Sequence, residues 1–236
     1  MTVEITITGY EFSELGEEAK QRVIERNRDY AAVDEWWDST YEYWKEELER
    51  LGFHNAKINF SGFYSQGDGA SFEADIHIPK LVALRREKME AAASLHEELS
   101  YYEDLVRYCK EMEDPFLLEV QRTQYHHYVH ANTVTVQRSE YHLAYFDCGD
   151  CEGCEGNGTC DIHELAEYQY DNLADKKWII KHVRDLCKQI YDDLEKEYEY
   201  LTSDKYIIEV LTEYVDDIYD EDGDVIKHVP PTPSAS

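Results

Sequence analysis

Basic side chains are scarce in this chain: 23 Lys and Arg stand against 52 Asp and Glu in 236 residues, a formal net charge of −29. Such a surface repels phosphates, which argues against direct nucleic-acid binding. No apolar run approaches the roughly 18 residues that a membrane span needs, and the first nine residues have neither a basic start nor a signal-type hydrophobic stretch. The six cysteines are unevenly placed in a chain long enough to bury a core, so a secreted disulfide scaffold is not expected either. These absences predict a soluble, non-exported protein in a reducing cytosol. The chain also has no Ser nucleophile elbow, no local Cys–His pattern, no Walker loop and no dinucleotide fingerprint. It therefore assigns no catalytic residue.

What is present is enough apolar surface to fold. Hydrophobic residues make up 42% and aromatics 13%, with 20 Tyr and 4 Trp, more than a disordered acidic polymer carries. Val3 to Thr8 alternates as a strand does. Ser13 to Gly16 reads as a turn and cap before a helix over Glu17 to Asn27. A second helix, Asp34 to Leu51, carries Trp37, Tyr41 and Trp44 at helical spacing and ends at Gly52. Ala56 to Tyr64 and Ala70 to Ile78 read as a hairpin, because the intervening Ser65-Gln66-Gly67-Asp68-Gly69 suits a tight turn. A long helix is predicted from Pro79 to about Met112, with a seam of Ala92, Leu95, Leu99, Tyr102, Val106 and Cys109. Tyr125 to Gln137 then turns strand-like. Helical spacing returns at Ile180, Val183, Cys187, Ile190 and Leu194, and again at Ile207, Leu211, Val215 and Ile218 after a cap at Ser203. The pattern predicts an α+β fold, a small antiparallel sheet packed against several helices, as one domain over residues 1–228. A Cys-rich loop, 147–163, is inserted in it, and 229–236 forms a disordered tail.

Three segments carry a resemblance: Tyr10-Glu11-Phe12-Ser13-Glu14-Leu15 before Glu18-Ala19-Lys20, Phe60 to Phe72 with its Ser-Gly-Phe-x-Ser-Gln-Gly-Asp-Gly-Ala-Ser-Phe pattern, and Leu194 to Asp204. Together they resemble an uncharacterised family encoded widely by tailed bacteriophages and sometimes labelled antitoxin-like. The resemblance implies a small accessory phage protein acting in the host bacterial cytoplasm, and it brings no catalytic residues with it. It does not extend to the Cys-rich loop, whose reading rests on spacing alone.

That loop holds Cys148, Cys151, Cys154, Cys160 and His163. Any four would furnish the tetrahedral thiolate and imidazole set of one structural zinc, with no open position for a substrate. An iron–sulfur cluster and a loop of free or variably oxidised thiols are the other readings. Cys109 and Cys187, on apolar seams, read as core cysteines. Ser65, Gln66 and Asp68 in the hairpin either form a plain turn or help its backbone N–H groups cradle an anion. His126, Tyr128 and His130 fall on one strand face, which His77 would join if the strands pair, giving either a metal-dependent enzyme or a satisfied strand face.

The strongest pattern is charge. Asp192 to Asp224 holds 14 acidic and 2 basic side chains, interleaved with tyrosines. Carboxylates mounted on helices can present rows of negative charge to a groove built for a polynucleotide, though a charge run is also simply a solvated face. The expectation is an inhibitor that binds a host defence or nucleic-acid-handling protein with a basic surface, by mimicking nucleic acid. Its contact residues would be Trp36, Trp37, Asp192, Asp193, Glu195, Glu199, Glu213, Tyr214, Asp216, Asp217 and Tyr219, with the aromatics as anchors. Self-association stays open. The alternative is a protein that sequesters a nucleotide immune signal, with Arg85, Arg86 and Lys88 beside the hairpin.

Overall fold

A computed structural model of the chain describes residues 7–30, 32–33, 35–90, 106–107, 109–110, 115–116, 118–123, 128–139 and 176–227. Within the span read as one domain the chain clusters into two compact units: Met1–Ser39 with Leu194–Ser236, and Thr40–Asp193. The fold is α+β. Among the described residues are five α-helices, a four-stranded antiparallel sheet and a two-stranded ribbon. None of those helices is long and apolar enough to cross a membrane.

The larger unit is built on β1 (Phe53–Phe60), β2 (Ala70–Ile76), β3 (Leu118–Arg122) and β4 (Val134–Arg138), ordered β1-β2-β3-β4 with every neighbour antiparallel. Register puts Ile58 opposite Phe72, and Ala74 opposite Val120, which in turn faces Val136. One face is therefore apolar, with Phe72, Ala74, Ile76, Leu118, Val120, Val134 and Val136 all buried. The other face carries Glu119, Gln121 and Gln137, and Gln137 Nε2 donates to Gln121 Oε1 at 2.7 Å while Gln121 Nε2 donates to Glu119 Oε1 at 2.6 Å. β3 is not among the strands expected from the sequence: its Leu-Glu-Val-Gln alternation is the pattern of a half-buried strand, but five residues between Asp114-Pro115 and the Tyr/His run give only a short period.

The predicted hairpin forms, with β2 starting at Ala70 as expected, but its first strand starts three residues early and ends at Phe60 instead of Tyr64. Asn55 takes a left-handed φ of 55°, and the ladder slips between His54 and Lys57, so β1 starts at Phe53. The helices here are α2 (Asp38–Leu51), α3 (Ile78–Glu90) and the first part of α4 (Lys176–Leu201). α2 begins at Asp38, so Trp36 and Trp37 precede it in a turn. α4 buries Ile179, Val183, Leu186, Cys187 and Ile190. It meets the apolar sheet face through the Phe53–His182 ring contact at 6.0 Å and Arg184, which donates to the Val134 carbonyl at 3.3 Å. Burial pushes the Cys187 thiol up to about 12. Cys109 is buried too. At pH 8 both thiols are expected to resist N-ethylmaleimide until denaturant is added, read by peptide mass spectrometry; labelling of native Cys187 within minutes would show an open interface.

The long helix predicted from Pro79 is described as α3, with helical geometry again at Val106–Arg107 and Cys109–Lys110. The seam residues Ala92, Leu95, Leu99 and Tyr102 lie outside the described residues, as do 1–6, the Cys-rich loop and the tail. Ile7 and Thr8, the described end of the first expected strand, are not in one.

The smaller unit joins α1 (Glu17–Arg26), the last turns of α4, α5 (Asp204–Glu213) and the ribbon of β5 (Ile218–Tyr219) with β6 (Val225–Lys227). Its core is Phe12, Leu15, Ala19, Val23, Ile24, Ile207, Leu211 and Tyr219. Tyr10 and Tyr219 exchange backbone hydrogen bonds at 2.8 and 2.9 Å, tying the start of the described chain to its end. Ser203 Oγ accepts from the Tyr206 N–H at 3.2 Å, the cap expected from sequence. Ser203→Ala is expected to lose about 1 kcal/mol, measured by urea unfolding.

α5 ends at Glu213, so Val215 and Ile218 do not continue its stripe; Ile218 pairs with Lys227 instead. Tyr219 is 2% exposed. Burial raises its phenol to about 12 from the ordinary value near 10. Between these values the unfolded chain gives up the proton while the folded one keeps it, so stability falls as pH climbs through that window. Tyr219→Phe is expected to flatten this alkaline loss, followed by urea titrations at successive pH values.

Candidate functional site

In the smaller unit the arginines of α1 are spent on acids. Arg22 Nε donates to the Asp222 carbonyl at 2.9 Å and its NH2 lies 3.3 Å from Asp222 Oδ1; Arg26 reaches Asp224 Oδ1 at 2.6 Å. Arg28, in the turn after α1, pairs with Glu25 at 2.7 Å and Asp204 at 2.8 Å, and these hydrogen bonds raise its pKa above the ordinary guanidinium value. The 220–224 turn is itself tight: Asp220 Oδ1 accepts from the N–H groups of Asp222 and Asp224 at 3.0 and 2.8 Å. Gly223 sits there at φ +83°, with a would-be Cβ 3.0 Å from the Ala19 carbonyl, so only glycine lets the turn lie against α1.

This arrangement leaves carboxylates in excess. An open cleft of about 600 Å³ is lined by Glu14, Glu17, Glu18, Glu221 and Asp222 beside Tyr10, with Arg22 the one basic side chain among the described residues of its lining. Glu17 and Glu18 occupy the first turn of α1, where the helix dipole favours anions. Among the described residues no ion pair engages Glu195, Glu199, Glu213 or Asp216, all of which are exposed. Glu195 and Glu199 stand one turn apart on α4, about 6 Å along the axis.

The expected contact residues divide. Tyr214 is 63% exposed at the end of α5. Asp217 is half-buried. Trp36 and Trp37 are half-buried, their rings 5.6 Å apart, with Trp36 5.5 Å from Tyr198. Tyr219 is a core residue and offers nothing to a partner. Asp192 and Asp193 belong to the larger unit, where Asp193 accepts the Trp44 indole N–H at 3.2 Å. The cleft acids Glu14, Glu17, Glu18 and Glu221 were missed. Their signal was the acidic run from Glu14 to Glu18 and the Asp220 to Asp224 cluster, which the Tyr10–Tyr219 bridge and the Arg22 and Arg26 contacts bring together.

In the larger unit the hairpin turn cradles its own anion. Asp68 Oδ2 accepts from the N–H groups of Tyr64 at 2.9 Å and Ser65 at 2.6 Å. Those donors are thereby spent, which favours the plain-turn reading. Ser65 and Gln66 are exposed. Of the expected histidine strand, Tyr128 to His130 precede β4 outside any strand, and His126 and His127 lie outside the described residues. His130 Nδ1 accepts from the Asn132 N–H at 3.1 Å and His77 Nδ1 from the Lys80 N–H at 3.2 Å, so each ring caps a turn. Arg85 lies 4.7 Å over the Trp178 ring. Among the described residues no group of three or more His, Cys, Asp and Glu side chains is disposed to hold a metal. Cys148, Cys151, Cys154, Cys160 and His163 lie outside them.

A family model described as a domain of unknown function (DUF8835) matches residues 36–204. That is most of the chain, which therefore belongs to this family. No curated protein and no solved structure matches it.

Proposed function

We propose that this DUF8835 protein is a phage-encoded accessory protein of the host bacterial cytoplasm that binds and inhibits a basic, nucleic-acid-handling host protein. One observation carries the reading: the arginines of the smaller unit are already held by acids, so Glu14, Glu17, Glu18, Glu195, Glu199, Glu213, Asp216 and Glu221 present a fixed excess of negative charge. A groove lined with Lys and Arg would meet them as it meets phosphates, releasing its counterions. Tyr10 and Tyr214 add stiff aromatic area of the kind that anchors interfaces. The phage origin rests on the three resembling segments.

The test is affinity capture from bacteria carrying defence systems, followed by competition. The captured protein is expected to be released by duplex DNA and by raising salt from 50 to 500 mM, with no turnover of either partner. Retention through both treatments would sink the reading. A structural zinc on Cys148, Cys151, Cys154, Cys160 and His163 is a separate proposal from spacing alone. Elemental analysis is expected to find one zinc per chain, and none would retire it.

A further inference from the structure

The larger unit has a cleft of its own, about 400 Å³, between the hairpin turn, residues 128–132 and the Cys187 to Asp192 stretch of α4. That volume lies within the range of small-molecule sites, roughly 300–1,000 Å³. Two aromatic rings line it and both are braced from behind. Tyr128 is 46% exposed, yet its ring lies hard against Gly67, where a Cβ would collide with it. The Tyr191 ring packs on Phe60 and Phe63 at 6.5 and 5.5 Å. Beside them stand the amides of Gln66 and Asn132, both on exposed residues. His130 also lines the cleft, and because its Nδ1 accepts from Asn132, its ring proton sits on Nε2.

The charges in the lining disfavour a phosphate. Among the described residues that line it Lys188 is the one basic side chain, and it lies 3.7 Å from Asp185. Asp192 opposes it, and Asp68 places a second carboxylate at the hairpin turn, its Oδ2 accepting from the Tyr64 and Ser65 N–H groups. Arg85 and Arg86 do not line the cleft. Rigid π faces with neutral amide donors and acceptors suit a flat heterocycle that pairs through its edge, as Asn and Gln pair with adenine.

We infer that this cleft binds an uncharged nucleobase or nucleoside, stacked on Tyr128 and Tyr191 and read by Gln66 and Asn132. The inference stands apart from the acidic surface of the smaller unit and survives its failure.

Calorimetry and ligand-observed NMR on the full chain, with adenosine, guanosine, cytidine, uridine and their 5′-monophosphates, test it. At least one nucleoside is expected to bind saturably and with little dependence on salt. Its monophosphate is expected to bind about fivefold or more weakly at low ionic strength, because its charge meets Asp192. Tyr128→Ala is expected to weaken binding about tenfold, the usual cost of losing a stacking ring. Gln66→Ala, at an exposed position with no part in the core, is expected to change which base is preferred. The inference is overturned if no nucleoside saturates, if the monophosphate binds tighter, or if both natively folded variants keep wild-type affinity and preference.

Discussion

Glu14→Gln, Glu17→Gln, Glu18→Gln and Glu221→Gln combined are expected to weaken binding to the captured host partner by roughly 30-fold or more, taking modest gains for each rim charge. The four side chains line one cleft, and Arg22 there already satisfies Asp222. Removing them takes four negative charges from a chain of net −29 without touching the buried Phe12, Leu15 and Ala19 beneath. Melting temperature is expected to change little, because eased like-charge repulsion offsets the loss of the Glu17 and Glu18 charges at the α1 N-terminus and of the Lys20–Glu17 pair. The slope of log affinity against log salt should fall by several units, since fewer ion contacts form. Binding constants measured across salt for wild type and variant decide it. Unchanged affinity and slope in a folded variant would move the interface away from this cleft and leave Glu195, Glu199, Glu213 and Asp216 to carry it.

Phe72→Ala is expected to destabilise the larger unit by about 3–5 kcal/mol, the range for truncating a buried aromatic. Phe72 is 0% exposed, stands opposite Ile58, and meets the Phe53 ring edge-on at 5.4 Å. Cys187 of α4 lies beside its backbone, so the ring fills the seam between sheet and helix. Its loss leaves a void that neither rigid layer can close. Urea unfolding followed by circular dichroism measures the change, with Phe72→Leu expected to recover part of it. A loss below about 1 kcal/mol would mean that the two layers repack freely.

Local chemistry was legible wherever one residue type decides one geometry. Ser203 reads as a cap and is one, the glycine-bearing Gly67 to Gly69 turn reads as a hairpin and is one, and Cys187 reads as core and is buried. The α+β class followed from the same signals. Boundaries failed where tertiary partners overrode period. Ile218 keeps the spacing of Ile207 and Leu211, but a β partner in Lys227 was worth more to its backbone than another helical turn. The candidate site was half legible, because charge density shows in a sequence while its internal consumption does not. Asp204, Asp222 and Asp224 count toward the acidic run between Asp192 and Asp224, yet they are held by Arg28, Arg22 and Arg26 from the opposite end of the chain. Tyr219 reads as an anchor because tyrosines interleave the acids, and only its pairing with Tyr10 reveals that it faces inward.

The Tyr10–Tyr219 bridge has a consequence for biosynthesis. Phe12, Leu15 and Val23 leave the ribosome early, but their burial waits for Ile207, Leu211 and Tyr219. At translation rates of roughly 5–20 residues per second that delay lasts on the order of ten to forty seconds. Throughout it, α1 carries an unprotected greasy stripe on a nascent strand whose own abundant anionic charge is its defence against premature clumping. Co-expression of a holding chaperone is therefore expected to raise its yield.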